Sequence, residues 1–387
     1  MALPINYSVR SLALRWKSTL LAMIGIALVV AVFVAVLSMA SGFRRALRSS
    51  GHPGNAIVLQ KGALSELGSS FSKAAGDWVS DDSRVAHTAG GTAWASPELA
   101  GVVALPGRPD AQLMNVGIRG VTAMAFAVRP EVVLVAGRRP RAGLFEIIVG
   151  RQTSARIRGL EIGSRISLLR QPFEVVGVFS ADGSALESEV WGDLDAMSSV
   201  FNRAGSESSL TVRLEDAKVL PAFDRELRAN LQFPLTMTDE QKYYEEQAGP
   251  LLGFLRSLAI FVGVVMGIGA VFAAMNTMYA LVAARTREVG TLRALGFSRS
   301  AVLITFVFEG LVVAAVGGVA GCMLSLSMSG ARASTAAGLG ELSFAFRTAP
   351  ADVGCGLLFA AAMGMIGSVL PAARAARLPI VSALRKA

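Results

Sequence analysis

The chain has 387 residues, of which 53% are hydrophobic, and its formal net charge is +9. This composition is too apolar for an ordinary soluble domain and is typical of a membrane protein with a sizeable soluble part. Residues 44–250 hold 23 Lys/Arg and 24 Asp/Glu, so the positive excess flanks the apolar runs, which indicates membrane topology and argues against nucleic-acid binding.

The N-terminal segment, residues 1–17, predicts a short amphipathic helix on the cytoplasmic surface. Its apolar members recur at spacings of three and four, and Trp16 suits a membrane interface. The next 26 residues are uncharged, which is too long for the apolar part of a signal peptide. Residues 18–43 are therefore predicted to be a retained first transmembrane helix.

Residues 44–250 predict an α+β domain, and a division into two lobes near residue 120 is considered. Short β-rich runs bounded by turn residues indicate strands at Ala56–Gln60, Gln112–Arg119, Glu146–Val149, Arg165–Leu169, Phe173–Phe179 and Leu210–Leu214. Residues 65–94 are interpreted as loop or short helix, and residues 216–231 have helical periodicity. The run Thr238-Asp239-Glu240-Gln241 matches a capping box, so a helix is expected to begin there and continue into the membrane.

Residues 251–284 are predicted to be the second transmembrane helix. From Ser257 to Ala284 there are 28 uncharged residues, which as a helix measure roughly 42 Å and can cross a bilayer core of about 30 Å. Gly263 and Gly267 lie on one face of this helix, where close helix contact is possible, including a contact between two copies of the chain.

Residues 285–299 form a cationic connector between two apolar runs. Val289, Leu292 and Leu295 are predicted to share one helical face, with Arg285, Glu288 and Arg293 around them. Gly296 suits a helix C-terminus and Ser298 the next N-cap. An apolar ridge with a charged rim can dock into a partner protein or lie on anionic lipid, and the pattern alone does not separate these two hypotheses.

The remaining chain predicts two more spans, residues 300–329 and 352–373, joined by an extracytoplasmic loop, residues 330–351, and followed by a cytoplasmic tail, residues 374–387. Gly317 and Gly321 are further candidate helix contacts. Glu309 is the one acid deep within a span, where an ionisable group is costly. It is interpreted either as a functional group or, preferably, as the partner of a neighbouring helix or a connector arginine.

The charge pattern predicts the orientation of the four spans. The N-terminal segment, the connector and the tail together carry eleven basic residues against the single acid Glu288. The positive-inside rule places them, and both termini, in the cytoplasm and the 44–250 domain outside. The expected fold is therefore an α-helical membrane protein with four transmembrane helices, arranged 1 + 3, and a large α+β extracytoplasmic domain between the first and second.

Motifs for catalysis and cofactor binding are not found in the 387 residues. The Walker A, H-E-x-x-H and G-x-S-x-G patterns do not occur, and the two cysteines, Cys322 and Cys355, both lie in apolar runs. We therefore predict a non-catalytic chain with no cofactor or metal of its own. The carboxylates of the 44–250 domain are interpreted as solvated surface charges.

Four stretches of the chain together carry a family resemblance. The strongest is Asn276-Thr277-Met278 followed by residues 284–296, ARTREVGTLRALG. The others are Lys17-Ser18-Thr19-Leu20 with Gly25-Ile26, Val175–Phe179 with Glu189-Val190-Trp191, and residues 371–376, PAARAA, with Pro379 and Ala383-Leu384-Arg385. These stretches resemble MacB/FtsX-type ABC transporter permeases, the type VII ABC transporters, and residues 60–110 match least.

The resemblance implies a permease subunit in the bacterial inner membrane that works as a homodimer with a separate ATPase chain, which would bind ATP and Mg. The ATPase-coupling segment would be carried by Arg285, Arg287, Glu288, Gly290, Leu292, Arg293, Ala294, Leu295 and Gly296. ATP-driven closure would move the connector, the spans and the outer domain, for export or extraction of a substrate at the outer face. Membrane lipids and a periplasmic adaptor protein are further candidate partners.

The alternative is a stand-alone membrane-anchored scaffold or receptor without an ATPase partner, in which the connector binds lipid. A stoichiometric ATPase in a pull-down from the native membrane would favour the permease, and its absence would favour the scaffold.

Overall fold

The computed structural model describes residues 16–337 and 340–377. Most of the predicted N-terminal helix of residues 1–17, and the tail after residue 377, lie outside the described residues. The helices are α1 (Trp16–Arg48), α2 (Lys73–Ser80), α3 (Ala125–Val128), α4 (Arg151–Arg156), α5 (Leu194–Val200), α6 (Leu220–Ala229), α7 (Glu240–Ala284), α8 (Thr286–Ala294), α9 (Arg299–Ser327) and α10 (Pro350–Ala376). The strands are β1 (Asn55–Gln60), β2 (Phe71–Ser72), β3 (Ala95–Pro106), β4 (Leu113–Val121), β5 (Val133–Gly137), β6 (Glu146–Gly150), β7 (Arg165–Leu168), β8 (Gln171–Ser180), β9 (Glu189–Asp193), β10 (Ser206–Glu207), β11 (Ser209–Arg213), β12 (Leu235–Asp239), β13 (Arg332–Ala337) and β14 (Gly340–Ala345).

Within the described ranges, α1, α7, α9 and α10 are the four helices long and apolar enough to cross a membrane. Their starts follow from local capping. The Asp239 carboxylate accepts a hydrogen bond from Lys242 N at 2.9 Å at the start of α7, and Ser298 Oγ accepts one from Ala301 N at 3.2 Å at the start of α9. Such side-chain acceptors satisfy amide groups that the first helical turn leaves unpaired. The helix predicted near residue 238 is thus confirmed, with Asp239 as the cap.

The membrane helices pack around one apolar cluster. Its buried members come from all four helices: Ala22, Ile26, Val29, Val30, Val34, Ala270, Val313, Ala314, Cys322, Ala360 and Met363. Four of these eleven residues are alanines, and small side chains of this kind let membrane helices approach closely and gain contact, since lipid offers no hydrophobic driving force between them.

A mixed ten-stranded sheet forms the second compact part of the molecule, which comprises Phe43–Leu252 and Arg332–Ala345. The strand order is β12-β1-β11-β3-β4-β9-β6-β8-β5, with β7 also paired to β8. Strand β4 pairs in parallel with β9, and β6 with β8, while the other pairs of this sheet are antiparallel. With the short helices between its strands, this part is the expected α+β domain.

The sheet corrects the proposed division of the domain near residue 120. Gly120 lies inside β4, which pairs with β3 on one side and β9 on the other. Two of the apolar clusters along the sheet draw on distant chain segments: one joins β1, β11 and α6, and the other joins β3, β4, β6 and β8. Contacts between distant segments therefore organise this domain, and no single point in the chain divides it.

Residues 330–351, which were expected to be a loop, contain the hairpin β13–β14. The hairpin belongs to the same compact part as the large sheet. Phe344 packs edge-on against Phe43, with ring centroids 5.3 Å apart, and Ser343 N donates a hydrogen bond to Ser188 Oγ at 3.1 Å. This part of the molecule, Phe43–Leu252 with Arg332–Ala345, is thus built from two separate stretches of chain. We call it the outer domain, after its predicted position.

Candidate functional site in the connector between the second and third membrane helices

The connector folds as the short helix α8 with a defined turn on each side. At its end Gly296 has φ +92°, Gly296 N donates to Arg293 O at 3.2 Å, and Phe297 N donates to Leu292 O at 3.2 Å. This pair of bonds is the Schellman motif, and its left-handed residue is favourable only for glycine. The predicted C-terminus at Gly296 and N-cap at Ser298 are both confirmed.

The inward face of α8 is apolar and well packed. Val289 and Gly290 are buried. The cluster around Val289 draws on the end of α7, the start of α9 and the end of α10: Met278, Leu281, Val282, Val302, Phe306, Ala372, Ala375 and Ala376. The connector is therefore fixed against three membrane helices.

Arg285, between α7 and α8, links the connector to the third membrane helix. Its Nη1 donates to Glu309 Oε1 at 2.8 Å and to Glu309 Oε2 at 3.1 Å, and its Nε donates to Glu288 Oε2 at 3.0 Å. Its guanidinium carbon also lies 5.4 Å from the centre of the Phe306 ring. The structure thus pairs Glu309 with a connector arginine, which was one of the partners that the sequence left open.

The outward side of α8 differs from the single ridge that the sequence predicted. Val289 is buried, Leu292 is half-buried and Leu295 is 73% exposed. Residues three apart on a helix differ in direction by about 60° around the helix axis. Leu295 is two such steps from Val289, so its side chain is rotated by about 120° from the buried face. Arg287 is also exposed, and Arg293 is half-buried, with Nη1 donating to Ala376 O at 3.3 Å.

The candidate glycine contacts all face neighbouring helices of the same chain. A Cβ added at Gly317 would lie 2.9 Å from Met23 O, and one at Gly321 would lie 2.5 Å from Ala27 O, so both glycines pack against α1. Gly263 and Gly267 face the rings of Phe33 and Phe359, at 3.0 Å by the same measure. The structure therefore covers Gly263 and Gly267 with side chains of this chain, and the suggested contact between two copies at these glycines is not needed to explain them.

The outer domain holds a cluster of buried charges that the sequence analysis assigned to the surface. Arg119 and Arg129 are fully buried, together with Glu66, Glu98, Glu189 and Glu240. We name these six residues the buried charge network. Arg119 contacts Glu66, Glu98 and Glu189, and Arg129 contacts Glu98 and Glu240.

The network favours the ionised form of Glu98 although this carboxylate is out of water. Burial opposes ionisation of Glu98, but Arg129 and Arg119 outweigh it and hold the pKa of Glu98 below its usual value. Glu189 also accepts a hydrogen bond from Trp191 Nε1 at 2.7 Å. Among residues 16–337 and 340–377, no three or more His, Cys, Asp or Glu side chains are grouped to hold a metal ion.

Comparison with known proteins finds two family models along the chain. The MacB-like periplasmic core domain matches residues 19–230, and the FtsX-like permease C-terminal matches residues 260–380.

Curated relatives cover a similar part of the chain. The pyoverdine export ATP-binding/permease protein PvdT of Pseudomonas syringae pv. syringae is 31% identical over 247 residues, covering 58% of this chain and 34% of that protein. The macrolide export ATP-binding/permease protein MacB of Rhodospirillum rubrum is 30% identical over 236 residues, covering 58% and 35%. The chain thus matches about a third of the length of these relatives. The solved periplasmic region of MacB from Actinobacillus actinomycetemcomitans covers 49% of this chain and 90% of its own, at 12% identity and a TM-score of 0.36.

Proposed function

This chain belongs to the MacB/FtsX-type ABC transporter permeases, and from that membership we propose that it receives the motion of an ATP-hydrolysing partner at its connector and passes that motion to its extracytoplasmic domain. It is a multi-pass bacterial membrane protein with four candidate membrane helices among its described residues. We propose that the ATP-binding domain is on a partner polypeptide and that this chain is the non-catalytic membrane subunit, acting as a homodimer. The two relatives are named for export of different compounds, so the proposal concerns the coupling role and assigns no cargo.

The observation that carries the proposal is the two-sided character of α8. Its inner side is fixed by Val289 and by the ion pair of Arg285 with Glu309. Its outer side leaves Leu295 and Arg287 exposed. A segment that is anchored within the membrane helices and open on the other side can take a push from a partner without separating from the helices it must move. A few residues carry most of the binding energy at protein interfaces, and arginine is enriched among them.

The proposal is tested by purifying the chain from its native membrane and measuring bound ATPase. We expect a stoichiometric ATPase with the wild-type chain. Leu295→Asp places a charge in the centre of the proposed interface and should weaken binding by about 2 kcal/mol, or roughly 30-fold. The matched control is Leu231→Asp, which changes a leucine that is 98% exposed in the outer domain and should leave binding unchanged.

Two results would contradict the proposal. The first is a wild-type chain that retains no ATPase but whose connector binds anionic vesicles, since this supports the membrane-anchored scaffold. The second is equal ATPase binding by the Leu295→Asp and Leu231→Asp variants, since the connector would then not be the contact.

We also propose that the connector faces the cytoplasm. The test uses a chain in which both native cysteines are replaced by alanine, with one new cysteine at the exposed positions Arg287 or Leu231. In intact cells with a permeabilised outer membrane, a membrane-impermeant maleimide should label Leu231→Cys only. Labelling of Arg287→Cys in those cells would contradict the orientation.

A further inference from the structure

Glu309 is a carboxylate buried inside a membrane helix, where an apolar residue would be expected. It is 0% exposed, and it lies ten positions after the first residue of α9, roughly 15 Å along the helix. Its buried neighbours on the same helix include Val302, Phe306 and Val313. A charge at such a position is costly unless it is paired, so its presence requires a specific partner.

Arg285, the partner of Glu309, contacts both the connector helix α8 and the membrane helix α9. Arg285 is the N-cap residue that precedes α8, and its carbonyl oxygen accepts the hydrogen bond of Val289 N at 2.9 Å. Its side chain contacts Glu288 in the first turn of α8 and Glu309 in α9. Both oxygens of Glu309 lie within 3.1 Å of Arg285 Nη1. The pair therefore defines both the distance and the orientation of the connector relative to the third membrane helix.

Apolar packing alone would stabilise this junction at least as well. Replacing a buried ion pair by apolar side chains of similar volume is often neutral or stabilising, whereas removing one partner is strongly destabilising. Apolar contacts are not directional, however, and small residues such as Ala372, Ala375 and Ala376 line the same cluster. The ion pair thus adds a fixed geometry to this junction more than it adds stability.

We infer that Glu309 is a positioning residue which, through Arg285, makes the third membrane helix follow the connector. The inference rests on the proposed function in one respect, which is that an ATPase moves the connector. The geometry of the Arg285–Glu309 ion pair does not depend on that function. Displacement of α8 should be carried into α9 by the hydrogen bonds of the pair. The apolar contacts of this cluster are not directional, so alone they would let the two helices slide.

The test separates positioning from stability by comparing two variants in lipid nanodiscs. Glu309→Leu removes the buried carboxylate that Arg285 contacts and should reduce both folding yield and coupling. The double variant Arg285→Leu with Glu309→Leu removes both charges of the buried pair, so it should fold as the wild type does. Because Arg285 belongs to the proposed coupling segment, the ATPase bound to this variant is measured separately, and the stimulation of hydrolysis is expressed per bound ATPase. We expect the double variant nevertheless to lose the stimulation of ATP hydrolysis by the permease, by at least tenfold.

A second experiment measures the distance between α8 and α9 directly. Spin labels at Thr291→Cys on α8 and Ser327→Cys at the far end of α9, both exposed positions, give the distance distribution between the two helices. Native cysteines are replaced by alanine. We expect a single narrow distribution in the wild type, unchanged when ATP is added, and a distribution at least twice as broad in the double variant.

The outcomes distinguish this inference from the proposed function. A double variant with wild-type stimulation and a wild-type distribution would overturn the inference, since apolar contact would then suffice. A wild-type chain that binds no ATPase would overturn the proposed function, and in that case the width of the distribution still decides whether the ion pair fixes the connector.

Discussion

Glu240 lies at the first position of α7, and replacing it by glutamine should destabilise the outer domain. Its Oε1 accepts a hydrogen bond from Arg129 Nε at 3.1 Å and lies 3.0 Å from Arg129 Nη2 in the ion pair, and its Oε2 accepts from His52 N and Asn55 Nδ2, each at 3.0 Å. Glutamine has one oxygen and no charge, so whichever way its amide turns, at least one donor loses its acceptor and Arg129 loses a charged partner. Removing one partner of a buried ion pair costs about 3–5 kcal/mol, and because Arg129 keeps Glu98, we expect the lower end, about 3 kcal/mol.

Thermal unfolding of the full-length chain, followed by tryptophan fluorescence, checks this magnitude. Three of the four tryptophans lie in the outer domain, and one of them, Trp191, is hydrogen-bonded to the buried charge network. For a domain of this size 1 kcal/mol corresponds to about 2–4 °C, so Glu240→Gln should lower Tm by about 6–12 °C.

The matched control lies on the same helix. Glu245 pairs with Arg48 at 3.3 Å, but both side chains are largely exposed. An exposed pair contributes about 0–1 kcal/mol, so Glu245→Gln should shift Tm by no more than about 4 °C. If Glu240→Gln and Glu245→Gln lower Tm by the same small amount, Glu240 does not stabilise the domain through the buried charge network.

Three further predictions concern other parts of the chain. Burial, together with a nearby aspartate, raises the pKa of Glu207 to about 8. Folding therefore favours the protonated carboxyl, and the stability of the domain should fall as the pH rises from about 5 to about 8. Glu207→Gln should raise Tm at about pH 8.5 but not at about pH 5, and a Tm difference between variant and wild type that does not change with pH would refute this. Gly321→Ala places a Cβ 2.5 Å from a carbonyl oxygen of α1 and should cost about 1–3 kcal/mol in thermal stability. Gly269→Ala, whose Cβ meets nothing within 4 Å, should change Tm little, and equal losses would refute the close contact. Ser188→Ala removes the hydroxyl that accepts a hydrogen bond from Ser343 N and should cost about 1–3 kcal/mol in thermal stability, because a buried amide loses its acceptor; an unchanged Tm would refute this contact between the hairpin and the sheet.

The membrane helices and several strands could be predicted because their signals are local. A run of uncharged residues longer than the bilayer core defines a span, and a cap such as Ser298 or a terminal glycine such as Gly296 depends only on adjacent residues. The strands at residues 55–60 and 171–180 were identified from short runs of β-branched and aromatic residues in the same way.

The features that were missed depend on contacts between distant residues. Glu66 and Arg119 are 53 residues apart, and Arg129 and Glu240 are 111 apart. Composition favours the surface for each of these side chains taken alone, and only the sheet brings them together. A weak signal was present, since Trp191 and Glu189 lie two residues apart in a β-rich run and a buried indole N–H needs an acceptor.

The connector shows the same limit on a smaller scale. Its helix, its C-terminal glycine and the next N-cap followed from the sequence, but the directions of Val289 and Leu295 did not. Those directions depend on which side of α8 meets the membrane helices, and residues distant in the sequence, such as Phe306 and Ala375, make that contact.

The hairpin β13–β14 affects how the outer domain can be expressed as a separate soluble fragment. A contiguous fragment from Phe43 to Leu252 would omit Phe344 and Ser343, leaving the Phe43 ring uncovered and the Ser188 hydroxyl without its amide donor. Such a truncated piece would expose an aromatic surface to solvent and invite self-association. A soluble version should carry the fourteen-residue insert, residues 332–345, grafted onto its C-terminus through a flexible tether.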